Sequence, residues 1–175
     1  YPQALQKVAQ LVSASSWAAS YLTRHPVLLD ELLDARLLEA APDWAAFRAQ
    51  LARELDEHEP DTERQMDVMR EAHHAQVFRL LAQDLGGMLA LEKLSDHLSD
   101  LADIMLDLAL RLVWRKLLKR HREEPQFAVV AYGKLGGKEL GYASDLDIIF
   151  LFDDDHPDAP EIYARLAQRI NTWIS

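Results

Sequence analysis

The run YGKLGGKELGYASDLDIIF, Tyr132 to Phe150, holds the side chains and spacings best suited to chemistry. Asp145 and Asp147 stand two apart at the opening of a predicted strand, where alternate side chains share a face and their Cα atoms lie about 6 to 7 Å apart. Two carboxylates at that spacing offer hard oxygen ligands to one or two divalent ions. Mg2+ keeps several waters and takes one or two carboxylates plus substrate phosphates, so an acid pair beside a glycine turn predicts a metal-nucleotide site. Gly133, Gly136, Gly137 and Gly141 let backbone N–H groups approach a ligand where side chains would block it, which suits a phosphate cradle at the start of a short helix. Ser144 lies next to the acid pair and is placed to position it. The turn is not a Walker loop, because Gly133 and Gly137 stand too close together and Lys138 is followed by Glu139. Taken singly, a glycine turn or an Asp-x-Asp is also an ordinary loop with capping carboxylates. Their order between two buried strands favours chemistry.

Other polar groups read as structural. His73 and His74 are about 100° apart around a helix and do not converge as ligands four residues apart would. His97 reads as a surface or cap residue, and Lys138 and Glu139 either pair locally or line the nucleotide site. The basic residues from Arg111 to Arg122 read as a solvated helix end. Asp153, Asp154 and Asp155 read as a solvated loop, since the six residues of strand from Asp147 span about 20 Å, beyond a shared metal shell. Trp17, Trp44 and Trp114 are assigned to the core.

The elements that must position the acid pair fall into two textures. From Gln3 to about Arg122 apolar residues recur at three- and four-residue spacing, the pattern of amphipathic helices in a bundle. A first helix carries Val8, Leu11, Val12, Trp17 and Leu22 and closes before Pro26. A short second runs from Val27 to Leu38. Asp43 caps a third, with Trp44, Phe47, Leu51 and Leu55, that stops at Pro60; Asp61 caps a long fourth, with Met66, Met69, Val77, Leu80 and Leu81 inward, that ends at Gly86 and Gly87. Ser95 or Asp96 opens a last helix from Leu98 to about His121. Its final turns gather Arg115, Lys116, Lys119, Arg120 and Arg122 where the helix dipole favours positive charge. After Pro125 the texture changes: Phe127 to Tyr132 and Asp145 to Phe152 read as strands buried on both faces, and Pro160 begins a helix through Ile162, Leu166, Ile170 and Trp173. Two strands do not form a stable sheet alone, so either the helices support them or further strands do.

Composition sets the limits. The chain has 175 residues, 49% of them apolar, with 19 basic and 29 acidic residues and a net charge of −10. Such a field repels nucleic acid and anionic membranes, so a nucleotide must be held by a local device. The absence of cysteine rules out disulfides and thiolate metal sites and fits a reducing cytoplasm. No apolar run is long enough for a membrane span, and the first residues form no signal peptide. Lacking an initiator Met, the chain is expected to be part of something longer.

The order of strand, glycine turn and Ser-Asp-x-Asp at the next strand resembles the DNA polymerase β type nucleotidyltransferase superfamily, although Lys134 stands where that superfamily commonly has Ser. GKLGGKELGYASDLD as a whole resembles the glutamine synthetase adenylyltransferases. SASSWAASYLTRHPVLLDELLD (Ser13 to Asp34) and KLSDHLSDLAD (Lys93 to Asp103) are similar to the helical region ahead of that family's second catalytic domain. The resemblance implies a mainly α helical bundle over residues 1–122, followed by the start of an α/β nucleotidyltransferase domain over 123–175. It implies ATP as substrate and Mg2+ held by Asp145 and Asp147, with Gly133, Lys134, Gly136, Gly137 and Ser144 about the nucleotide. It further implies transfer of AMP to a tyrosine of glutamine synthetase in nitrogen regulation, with glutamine synthetase and a PII-type signalling protein as partners. KELGYASD looks more like the adenylylating copy than the phosphorolytic, deadenylylating one. A third metal carboxylate, expected on a later strand, is not found, so the chain alone is expected to be weak or inactive. Two other readings stand beside this one: a helical regulatory module without catalysis, and nucleotidyl transfer to a small molecule, against which the long helical preface counts.

Overall fold

The computed structural model describes residues 2–26, 28 and 40–174. It is mostly helical with one small sheet, in the order α1 (Pro2–Ala14), α2 (Ser16–Arg24), α3 (Trp44–Glu57), α4 (Thr62–Leu85), α5 (Leu91–Lys116), β1 (Phe127–Ala131), α6 (Gly133–Gly136), β2 (Ile148–Phe152) and α7 (Ala159–Ile174). The helix expected from Val27 to Leu38 lies, apart from Leu28, outside the described residues.

Local capping chemistry sets several boundaries. Asp43 accepts from the Ala46 N–H at 2.9 Å and Asp61 from the Arg64 N–H at 3.0 Å, each satisfying a first-turn donor that the helix leaves unpaired. The single helix expected before Pro26 is two helices. Ser15 is extended and its hydroxyl accepts from the Ala18 N–H at 3.2 Å, so a cap in mid-run starts α2 afresh.

The last long helix is displaced from its expected bounds. It begins at Leu91, with Ser95 and Asp96 inside it, and its N-cap Ala90 offers no side-chain acceptor. The stripe Leu94, Leu98, Leu101, Met105, Leu108 and Leu112 is buried along its length. Burial of that stripe outweighs a cap, which is worth about 1 kcal/mol. The helix ends at Lys116, because Leu117 turns extended to enter the core and Lys119 takes a positive φ of 70°. Lys119, Arg120 and Arg122 therefore follow the helix instead of forming its last turn.

β1 and β2 pair antiparallel, from Phe127 opposite Phe152 to Ala131 opposite Ile148. The second strand is shorter than expected. Asp145 and Asp147 precede it, since β1 ends at Ala131 and offers no ladder partner for Asp145. Burial on both faces is the expectation from the sequence, but only one face is covered. Ile148 and Phe150 pack on the core, while Ile149 and Leu151 on the other face are 42% and 52% exposed; Phe152 shares the covered face but is 44% exposed at the strand end. Helix α7 supports the covered side: the Tyr163 ring stacks on Phe127 at 5.6 Å, Phe152 at 5.0 Å and Trp114 at 5.7 Å.

One apolar core joins α3, α4, α5 and α7 with Leu135 and Leu140 of the glycine-rich segment. A second cluster seats α1 and α2 on Phe78, Leu81 and Ala82 of α4. Trp114 is buried, and Trp17 and Trp44 lie half-buried at the core margins. His97 is a tie between helices as well as a surface residue, accepting from the Trp44 indole N–H at 3.2 Å. No described helix is long and apolar enough to cross a membrane.

Candidate functional site

The glycine turn and the acid pair meet through Gly133 and Asp147. Gly133 opens α6 with φ of +51°, a left-handed conformation that glycine adopts without the penalty of a Cβ. A Cβ at that position would collide with the Asp147 Oδ2, so the carboxylate rests directly on the bare backbone. The main chain fixes the same approach, with the Tyr132 N–H donating to the Asp147 carbonyl at 2.7 Å. Gly136 is required for a second reason: a Cβ there would stand 2.7 Å from the Ala131 carbonyl oxygen, so the missing side chain lets α6 fold back against the end of β1.

Around this contact the other expected site residues arrange themselves unequally. Lys134 and Gly137 are exposed on the turn, and Asp145 and Asp147 are both exposed to solvent. Ser144 serves the loop: its hydroxyl accepts from the Gly141 N–H at 2.9 Å, and its N–H donates to the Gly141 carbonyl at 3.1 Å. That closes a tight turn immediately ahead of Asp145. Leu146, between the two carboxylates, is half-buried against the core. Lys138, at a positive φ of 54°, approaches Asp100 of α5 at 4.0 Å. Burial raises the Asp103 carboxyl above its usual range, with Lys138 opposing and Asp100 adding to the shift.

The donor set suits a hard divalent ion. Asp145 and Asp147 are exposed, and neither forms an ion pair with a described residue. Among the described residues no group of three or more His, Asp or Glu is poised on one metal. Two carboxylates plus substrate phosphates and water are an ordinary Mg2+ complement.

Two polar features escaped the sequence. Asp154, expected in a solvated loop, has a fully buried side chain. It accepts from the Tyr163 hydroxyl at 2.7 Å, from His121 Nε2 at 2.8 Å and from the His156 N–H at 3.0 Å, and Arg122 Nε lies 3.1 Å away. Burial alone would raise its carboxyl; the hydrogen bonds from Tyr163, His156 and His121 and the Arg122 charge outweigh that and hold it at about 2. The basic run is similarly drawn inward at two points. Arg122 serves Asp154, and Lys116 donates to Thr62 at 2.8 Å and to the buried Gln65. The second missed feature is Tyr142, whose hydroxyl donates to Asp84 Oδ2 at 3.1 Å across 58 residues of sequence. Nothing in local spacing signals either contact.

The geometry is that of a helical protein with a small sheet, in which an acid pair just ahead of the second strand meets a glycine turn. The family model for glutamate-ammonia ligase adenylyltransferase matches residues 5–175, and the chain belongs to that family. It is 74% identical over all 175 residues to the bifunctional glutamine synthetase adenylyltransferase/adenylyl-removing enzyme of Aromatoleum aromaticum, of which it covers 19%. Proteins of the same name from Chromobacterium violaceum and Neisseria meningitidis serogroup B are 61% and 55% identical over the whole chain, which covers 20% of each. The chain thus spans about a fifth of the length of these relatives.

Proposed function

We propose that this chain contributes the first two metal carboxylates and the nucleotide turn of a DNA polymerase β type nucleotidyltransferase site that transfers AMP from ATP to a tyrosine of glutamine synthetase. The observation that carries the reading is the seating of Asp147 on the bare backbone of Gly133, which brings a metal ligand against the turn assigned to phosphate. The relatives' name covers both addition and removal of the adenylyl group, and the string KELGYASD favours the adenylylating reaction. Residues 1–122 form the helical region of this proposal and 123–175 the beginning of the transferase domain. Glutamine synthetase is then the protein substrate, a PII-type signalling protein a regulatory partner, and the cytoplasm the compartment.

Within that reading Asp145 and Asp147 would hold Mg2+, which when bound supplies charge neutralisation at the phosphates. Gly133, Gly136 and Gly137 leave the turn's backbone open to close approach by the phosphates, and the first-turn N–H groups of α6 lack intrahelical acceptors. Lys134 adds a positive charge on a flexible stem beside them. Ser144 holds the loop turn that delivers Asp145. These groups act by placing and neutralising charge; the acceptor hydroxyl comes from the partner protein.

Calorimetric titration of Mg·ATP tests the reading, with Asp145→Asn and Asp147→Asn as controls. Metal-dependent binding that both substitutions abolish is the expected result, followed by labelling of glutamine synthetase with radioactive ATP. Binding that survives both substitutions removes the assignment.

A further inference from the structure

The segment from Gly137 to Asp147 carries both carboxylates of the site, yet it forms neither helix nor strand. Leu140 is buried at one end and Leu146 is half-buried at the other. Between them the chain borders a cavity of about 440 Å³, lined on the bundle side by Arg70, His73 and His74 of α4 and on the loop side by Tyr142 and Ser144. Leu140 and Leu146 pin the two ends of this stretch, and no residue between them is buried. Among the described residues, a salt bridge and a hydrogen bond cross from the bundle to the loop. One is the Lys138 to Asp100 approach at 4.0 Å, between side chains 59% and 40% exposed, and such a pair contributes little. The other is the hydrogen bond from the Tyr142 hydroxyl to Asp84, also at the surface, with Tyr142 39% exposed, but made by a neutral donor to a carboxylate.

Asp84 sits in the last turn of α4, where the helix dipole disfavours a carboxylate and a donor from outside the helix compensates. Burial, then the Asp84 charge and its hydrogen bond, raise the Tyr142 phenol well above its ordinary value, so the hydroxyl remains a donor at any working pH. Gly141 and Ser144 are hydrogen-bonded to each other on either side of Tyr142. These bonds close the turn, and Asp145 is the next residue along.

We propose that the Tyr142 to Asp84 hydrogen bond is a positioning strut through which helix α4 sets where Asp145 and Asp147 stand, and so how tightly the site takes its divalent ion. The strut rests on the reading of those two aspartates as metal ligands. Neither Tyr142 nor Asp84 touches the reacting atoms; both act through the loop.

The test uses the longest form in which the protein is expressed. Mg2+ is titrated at fixed ATP by calorimetry, and thermal midpoints are recorded, for the parent and for Tyr142→Phe, Asp84→Ala, Asp84→Asn and the Tyr142→Phe/Asp84→Ala double variant. Tyr142→Phe removes only the hydroxyl. The half-saturating Mg2+ concentration is expected to rise about fivefold in Tyr142→Phe and in Asp84→Ala, with the midpoint within about 2 °C of the parent. The double variant should be no worse than either single one, as groups acting through one contact require. Asp84→Asn keeps an acceptor oxygen and should restore most of the affinity. Unchanged Mg2+ dependence in both single variants, or a change that follows the midpoint downward, overturns the strut. Asp145→Asn and Asp147→Asn separate the two levels. Mg2+-dependent binding that persists in them removes the metal reading and the strut together, whereas binding lost in them and normal in Tyr142→Phe removes the strut alone.

Discussion

Helices α3, α4, α5 and α7 and the strand-turn-strand segment between Phe127 and Phe152 are built to different standards of burial. In the helices Leu55, Leu80, Leu101, Leu166 and Ile170 are at most 1% exposed, and each such side chain contributes about 1.5 to 3 kcal/mol by leaving water. In the segment one sheet face stands open, and both candidate metal ligands lie in irregular, solvent-facing backbone. The contrast amounts to a division of labour: the helices supply the stability, and the segment devotes its residues to shape and charge while resting on α7 through Tyr163 and on the bundle through Leu140.

The strongest test of that division is to remove chemistry without touching stability. Asp147→Asn should weaken the proposed Mg2+-dependent ATP binding at least tenfold in calorimetric titration. Its thermal midpoint should match the parent, because the exposed side chain supports no core contact. A midpoint that fell with the binding would show the two regions to be one. The converse substitution is Leu166→Ala in α7, at 0% exposure, which should cost about 3 kcal/mol and lower the midpoint by roughly 10 °C in thermal denaturation.

Asp154 links the two regions, and its effect depends on pH. Its carboxyl is held at about 2 against an ordinary 3.8, so the native state favours the ionised form. That stabilisation is fully present above pH 3.8 and is lost as pH falls through 2. Asp154→Asn should lower the midpoint at pH 7 by about 5 °C. Denaturant melts between pH 4 and pH 2 should show a weaker pH dependence than in the parent.

A smaller change is expected at Gly133→Ala, where the added methyl meets the Asp147 carboxylate and the positive φ is strained. Mg2+ affinity, measured by titration, should fall about tenfold, in keeping with other displaced metal ligands. The smallest effect belongs to Ile149→Thr on the open sheet face, within about 0.5 kcal/mol in denaturant melts. A loss of several times that size would show the face to be covered in solution.

Much of the candidate site is legible along the chain because its determinants are local. Gly133 must be glycine where the turn is left-handed, and Asp145 and Asp147 are two apart next to an apolar strand. The helices follow from apolar spacing, and Asp43, Asp61 and Gly86 mark ends by chemistry that reaches only three or four residues. Where two local signals compete, spacing does not say which wins. Ser95 and Asp96 look like caps, but the buried stripe from Leu94 onward carries α5 past them. Family membership too is written in the string GKLGGKELGYASDLD and confirmed over residues 5–175.

Tertiary packing alone decides which polar groups find partners far along the chain. Asp154 becomes a buried hub because α7 brings Tyr163 to it while His121 and Arg122 arrive from 33 and 32 residues away. Tyr142 reaches Asp84 because α4 ends beside the loop. The open sheet face is likewise a matter of what packs where, since an apolar alternation reads the same whether one side or both are covered. Local sequence determines backbone preference within a few residues. Burial and pairing of charge depend on the meeting of distant segments, and no spacing within either segment encodes that meeting.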